Sequence, residues 1–164
     1  VTSPTHAELV AIAERWLSNQ GCKIVLREFS TQIQSGEIPD AIGFGRGTSV
    51  LVECKTTRSD FLRDKRKPFR RAPEHGLGDW RYYLCPADVI QPSDLPQGWG
   101  LLWLQGNRVR AIVDPGKKPG VPRYGGIAPF EGHKRNEQTL LVSALRRLAL
   151  RGHLPEIYEP LSGH

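Results

Sequence analysis

Two carboxylates and a lysine close a pair of short apolar runs in this chain, and their order is the first feature with chemical content. Val50-Leu51-Val52-Glu53-Cys54-Lys55 begins β-branched and apolar and ends abruptly in a carboxylate and an ammonium, as a strand does where it emerges at a polar edge. Alternation along a strand assigns Val50, Val52 and Cys54 to one face and Leu51, Glu53 and Lys55 to the other. Upstream, Ile38-Pro39-Asp40-Ala41-Ile42 opens a second short apolar run, and Gly43-Phe44-Gly45-Arg46-Gly47-Thr48-Ser49 lies between the two. That glycine-rich stretch has the composition of a hairpin turn. Antiparallel pairing across it brings Asp40 close to Glu53, with Lys55 beside them.

Such a constellation suits magnesium, which takes oxygen ligands, often one or two carboxylates, and completes its shell with water and substrate phosphate. A metal held there polarises a phosphoryl oxygen and acidifies a bound water. Lys55 is placed to orient or deprotonate that water, since a neighbouring cation lowers its pKa. The competing account is an ordinary Glu–Lys pair at an exposed strand end, which contributes little. A Glu-x-Lys triplet alone does not decide between them; Pro-Asp, a turn, an apolar strand and Glu-x-Lys in this order favour the site.

Pro39-Asp40, twelve intervening residues and Glu53-Cys54-Lys55 resemble the signature of the PD-(D/E)xK nuclease superfamily, and the resemblance runs from about Thr5 to Leu104. It implies a restriction-endonuclease-like α/β fold, a central mixed β-sheet flanked by α-helices. It also implies Mg²⁺-dependent hydrolysis of DNA phosphodiester bonds, with Mn²⁺ as a substitute and 5′-phosphate and 3′-hydroxyl products. Asp40, Glu53 and the backbone carbonyl of Cys54 are then the metal ligands, and Lys55 positions the attacking water. A glutamate on the first helix of such nucleases often assists the metal through water, which nominates Glu8. Thr5-x-x-Glu8 is also a capping box that accounts for Glu8 without a metal, and both readings stand. Glu28 is a spare carboxylate expected at the surface.

The elements that must position these residues follow the same punctuation. Leu9, Ile12, Ala13, Trp16 and Leu17 recur at helical spacing after Ser3-Pro4-Thr5-His6 and predict a first helix ending at Gln20-Gly21. Cys22 to Phe29 reads as a strand, and Ser30 to Glu37 as a polar loop over the site. Ser59 is the expected N-cap of a helix over Asp60 to Lys67, ended by Pro68. Arg81 to Cys85, Gly100 to Leu104 and Val109 to Val113 read as further strands. Pro115 to Phe130 is a Gly/Pro-rich loop, and Arg135 to Arg151 an amphipathic helix with Leu141, Ala144, Leu145, Leu148 and Ala149 in one stripe.

Arg63-Asp64-Lys65-Arg66-Lys67-Pro68-Phe69-Arg70-Arg71 is the densest basic run. A charge run is usually a solvated face, but this one directly follows the Glu53 strand. Arg58, Lys65, Arg66, Lys67, Arg70 and Arg71 are therefore the expected clamps on a DNA backbone. The net charge of +6 over 164 residues suits a polyanionic partner, and the length suits one domain over residues 1–164.

No run is apolar enough to span a bilayer, and three scattered cysteines without metal-ligand spacing point to free thiols in a reducing, cytoplasmic setting. Cutting both strands of a duplex uses two active sites, so a homodimer is expected. Two other classes remain as alternatives: a DNA-binding module that keeps the nuclease fold without chemistry, and a metabolic or structural α/β protein with a chance motif.

Overall fold

The computed structural model describes residues 3–161. Its centre is one six-stranded sheet in the order β1-β2-β3-β4-β5-β6. The strands are β1 (Ile24–Arg27), β2 (Ala41–Gly45), β3 (Thr48–Cys54), β4 (Trp80–Pro86), β5 (Gly100–Gln105) and β6 (Arg108–Val113). The pairs β3–β4 and β4–β5 are parallel, and the outer pairs are antiparallel hairpin-type neighbours. The helices are α1 (His6–Asn19), α2 (Arg58–Asp64), the single-turn α3 (Pro68–Arg71) and α4 (Lys134–Leu150). This is the expected α/β architecture, a mixed sheet flanked by helices.

Two layers of core explain why the strands alternate as they do. Val50, Val52 and Cys54 of β3 pack with Tyr82, Leu84 and the α1 residues Leu9, Val10, Ala13, Trp16 and Leu17. Leu51 faces the other way, among Phe61 of α2, Tyr83, Cys85, Trp99, Leu101 and Leu140 of α4. β3 and β4 are covered on both sides, as strands of a parallel core must be. The α1 N-terminus is a complete capping box, with the Thr5 hydroxyl accepting from the Glu8 amide and Glu8 accepting from the Thr5 amide.

The β2–β3 turn is tighter than its composition suggests. Pairing continues to Gly45–Thr48, leaving Arg46 and Gly47 as a two-residue turn with φ of 53° and 73°. Positive φ at both positions is what a type I′ hairpin demands, and glycine supplies it at no steric cost. Elsewhere α2 starts earlier than expected, because Thr57 rather than Ser59 caps it by accepting from the Asp60 amide.

A buried polar knot ties α4 to the start of β3 and β4, the opposite end of these strands from Glu53. Glu137 accepts from the Ser49 hydroxyl at 2.6 Å and the Gly78 amide at 3.0 Å, while Lys134 bridges Asp79 and Glu137. All three cysteines are free thiols. Among the described residues no helix is long and apolar enough to cross a membrane.

The stripe expected on α4 does not join the core. Leu140 is fully buried, but Leu145 and Leu148 are 49 % and 40 % exposed. The helix touches the body through its first half and its polar side.

Candidate active site

Register brings the sequence-nominated residues together. The β2–β3 ladder ends at Ala41–Val52, so Asp40 and Glu53 follow one step beyond it on neighbouring strands. Asp40 Oδ2 accepts from the Cys54 amide at 2.7 Å, which pins the aspartate across the strand end. Lys55 Nζ donates to Glu53 Oε2 at 3.3 Å, and the Lys55 amide donates to the Leu84 carbonyl at 2.9 Å, extending the parallel pairing. The site therefore sits where β3 and β4 end, the usual place for chemistry in an open α/β sheet.

The electrostatics are those of crowded carboxylates. Burial pushes Asp40 up to about 6, and the neighbouring charge of Glu53 adds to the rise; Lys55, the Cys54 amide and His6 oppose it. For Lys55, burial alone would lower the pKa, but Glu53, Asp64 and Asp40 outweigh it and raise the value above its ordinary one. Lys55 is thus an ammonium that donates hydrogen bonds.

Glu53 and Lys55 are 2 % and 7 % exposed, so they do not project freely from the strand end. They belong to a network absent from the sequence reading. Lys55 also donates to Asp64 at 3.3 Å. Asp64 accepts from Tyr83 at 2.8 Å and from Arg70 Nε at 2.9 Å. Arg70 Nη1 donates to Glu37 at 2.6 Å, and Nη2 lies 3.2 Å from Glu53 Oε1. The guanidinium is sandwiched between the Phe69 and Trp99 rings, 4.9 Å from each centroid. Burial would raise Asp64, yet Arg70 and Lys55 hold it well below the usual carboxylate range.

The basic tract divides accordingly. Arg70 is no phosphate clamp: its side chain is 3 % exposed and its donors face carboxylates. Lys67 pairs with Asp64 at 2.8 Å. Arg58 makes a two-pronged pair with Asp94, whose backbone carbonyl also takes Lys65. Arg66 and Arg71 are exposed and carry no ion pair among the described residues.

The first helix shows the capping-box reading of Glu8 and also brings His6 to Asp40. Glu8 is engaged by Thr5, whose amide and hydroxyl lower its pKa. His6 instead reaches the site, its Nε2 3.3 Å from Asp40 Oδ1 and 3.4 Å from Glu28 Oε1. Glu28 stands at φ 46° where β1 ends, exposed as expected but within reach of His6. The sequence offered one sign of this, the position of His6 in the first turn of a helix.

The donor set can be weighed against a divalent ion. Among the described residues no group of three or more His, Cys, Asp or Glu side chains is gathered as a metal shell. Magnesium asks less, one or two carboxylates with water and phosphate. Asp40, raised by burial and by the charge of Glu53, forms with it a pair that a cation relieves, and Glu53 Oε1 is balanced only by the ion-pair contact of Arg70 Nη2 at 3.2 Å. The residues fit a two-carboxylate magnesium site with the Cys54 carbonyl at the same strand end.

No protein-family model matches the chain, and no curated protein matches it. A solved structure from Silicibacter pomeroyi, described as "SPO1766 protein of unknown function", is similar over 98 % of this chain and 100 % of its own, with a TM-score of 0.59 and 22 % identity. That likeness is one of fold.

Proposed function

We propose that the chain is a Mg²⁺-dependent DNA endonuclease of restriction-endonuclease-like fold. The observation that carries the proposal is the meeting of Asp40, Glu53 and Lys55 at one strand end, with Asp40 raised to about 6 by burial and by Glu53. Asp40, Glu53 and the Cys54 carbonyl would hold the metal, with Mn²⁺ as a substitute. Magnesium bound there would neutralise phosphate charge and acidify a water.

The chain's own residues do the rest. The Cys54 amide holds Asp40 in place through Oδ2, leaving Oδ1 toward His6. Lys55, kept cationic by Glu53 and Asp64, donates a hydrogen bond that aims the attacking water in line with the scissile phosphorus. Arg70 pairs with Glu53 and Asp64 and fixes both, so that the carboxylates need not reorganise when the substrate arrives. His6 meets Asp40 Oδ1 from the solvent side at 3.3 Å.

Incubation with supercoiled and linear DNA, with Mg²⁺ or with EDTA, tests the assignment. Cutting that requires the metal is the expected result. Binding without cutting supports the non-catalytic module instead, and neither activity removes both.

The backbone contacts give a separate prediction. Neutralising Lys65, Arg66 and Arg71 together, and leaving the buried Arg70 alone, should weaken DNA binding across sequences. Each lost phosphate contact should flatten the salt dependence of log K by roughly one unit of slope. Fluorescence anisotropy over a salt series reads both, and an unchanged slope returns these side chains to a solvated face.

A further inference from the structure

Both carboxylate oxygens of Glu53 are already engaged within the chain. Oε2 accepts from Lys55 Nζ at 3.3 Å, and Oε1 lies 3.2 Å from Arg70 Nη2. To turn an oxygen to a divalent cation, Glu53 must release one of these two partners. Arg70 is the less able to leave. It also donates to Glu37 at 2.6 Å and to Asp64 at 2.9 Å, and its guanidinium lies between two aromatic rings. Lys55 is the partner that can yield.

A second acceptor for Lys55 is in place. Its Nζ stands at the same 3.3 Å from Asp64 Oδ1 as from Glu53 Oε2. Asp64 is buried, and its Oδ2 is fixed by the Tyr83 hydroxyl at 2.8 Å and by Arg70 Nε at 2.9 Å. Oδ1 receives the ammonium groups of Lys55 and, at 2.8 Å, of Lys67. The two lysines differ in freedom. The Lys67 side chain is 45 % exposed and can turn to water, whereas that of Lys55 is 9 % exposed and cannot. An ammonium confined in this way needs a carboxylate beside it, because leaving it buried and unpaired is costly.

We infer that Asp64 is a positioning residue, the counter-ion that keeps Lys55 anchored and charged when Glu53 turns to a divalent cation. It acts through Lys55, the residue that faces the reaction. The inference rests on the two-carboxylate reading proposed above and adds to it that metal affinity depends on a residue outside the ligand set.

Magnesium binding without DNA, measured by calorimetry, tests it. Lys55→Ala removes the competing ammonium and should tighten binding roughly tenfold. Asp64→Asn should weaken binding roughly tenfold, the scale of coupling within one ion-pair network. The amide oxygen can still accept from Tyr83 and Arg70 while its NH₂ group faces the lysines, and circular dichroism checks the fold. In the Lys55→Ala background, Asp64→Asn should change the affinity by no more than about twofold, the tolerance for sites that share no partner. A merely structural role would give the same loss in both backgrounds. Lysine-selective NMR of the wild type needs no variant to fold: the Lys55 ammonium should stay protected from solvent exchange when magnesium is added. Equal losses in the two backgrounds, or a Lys55 ammonium that exchanges freely with magnesium bound, would overturn the inference and leave the metal site standing. A wild type that binds no magnesium would remove the two-carboxylate reading, and this inference with it.

Discussion

Asp40→Asn is expected to abolish metal-dependent cleavage and, in the same preparation, to make the protein more stable at pH 8. The amide can still accept from the Cys54 amide, as Oδ2 does at 2.7 Å, but it removes the charge that magnesium needs. It also removes a carboxylate whose folded pKa is raised from 3.8 to about 6. A raised carboxylate destabilises the native state where it is ionised. Stability is therefore lost as pH rises from the unfolded value through the folded one, by on the order of 3 kcal/mol above pH 6.

The stability gap between wild type and Asp40→Asn should accordingly be wide at pH 8 and close toward pH 4. Wild-type cleavage at subsaturating Mg²⁺ should fall in the same direction, roughly tenfold per pH unit below about 6, as protons compete with the metal for Asp40. Magnesium should raise the wild-type Tm at pH 8 and leave that of Asp40→Asn unmoved. Thermal melts across pH, with and without the metal, read all of this without a substrate. An Asn variant less stable than wild type at pH 8 would remove the crowded-carboxylate description.

The largest loss of stability is expected from Arg70→Met. The methionine can fill part of the space between Phe69 and Trp99, but Glu37, Glu53 and Asp64 lose their shared cation. Removing one partner of a buried charge network costs about 3–5 kcal/mol, because the remaining charges stay desolvated. For a chain of this size that is a fall in Tm of about 10 °C. Glu37, already raised by burial and held back by Arg70, should become a neutral acid. Arg70→Lys keeps a charge but not the three-way fork, and should fall between the two. Urea unfolding measures the series, and a Met variant within about 1 kcal/mol of wild type would show that the network is not what holds α3 in place.

The Asp40–Glu53–Lys55 arrangement was legible because it rests on local rules. A glycine-rich turn set the antiparallel pairing, and the two-residue period of Val50 to Lys55 assigned the faces. The network around Arg70 was not legible. Arg70 sits in a basic run that reads like any solvated face, and Glu37 sits in a polar loop. Only the placement of α3 under Trp99 turns the guanidinium inward. Asp64 was hidden the same way, an acid counted within a basic tract. Glu8 was legible as a cap, whereas His6 was visible only as part of a helix start. On α4 the periodicity identified the stripe correctly, but periodicity cannot say which side of a helix meets its own domain. Ser143 and Arg147 meet it here, and Leu145 and Leu148 of the stripe do not.

The central claim is that one strand end carries phosphodiester chemistry, and Lys55→Ala tests it most directly. The substitution leaves both metal carboxylates in place, so added metal cannot compensate for it. Cleavage of supercoiled DNA in Mg²⁺, gel shift in Ca²⁺ and circular dichroism should be run on the same wild-type and Lys55→Ala preparations. The account predicts a wild type that cuts, and a folded variant that binds DNA as well as wild type and cuts slower by about 10²–10³-fold, the scale of losing a positioned hydrogen-bond donor at the reacting centre. A folded Lys55→Ala chain cutting at the parental rate would contradict it.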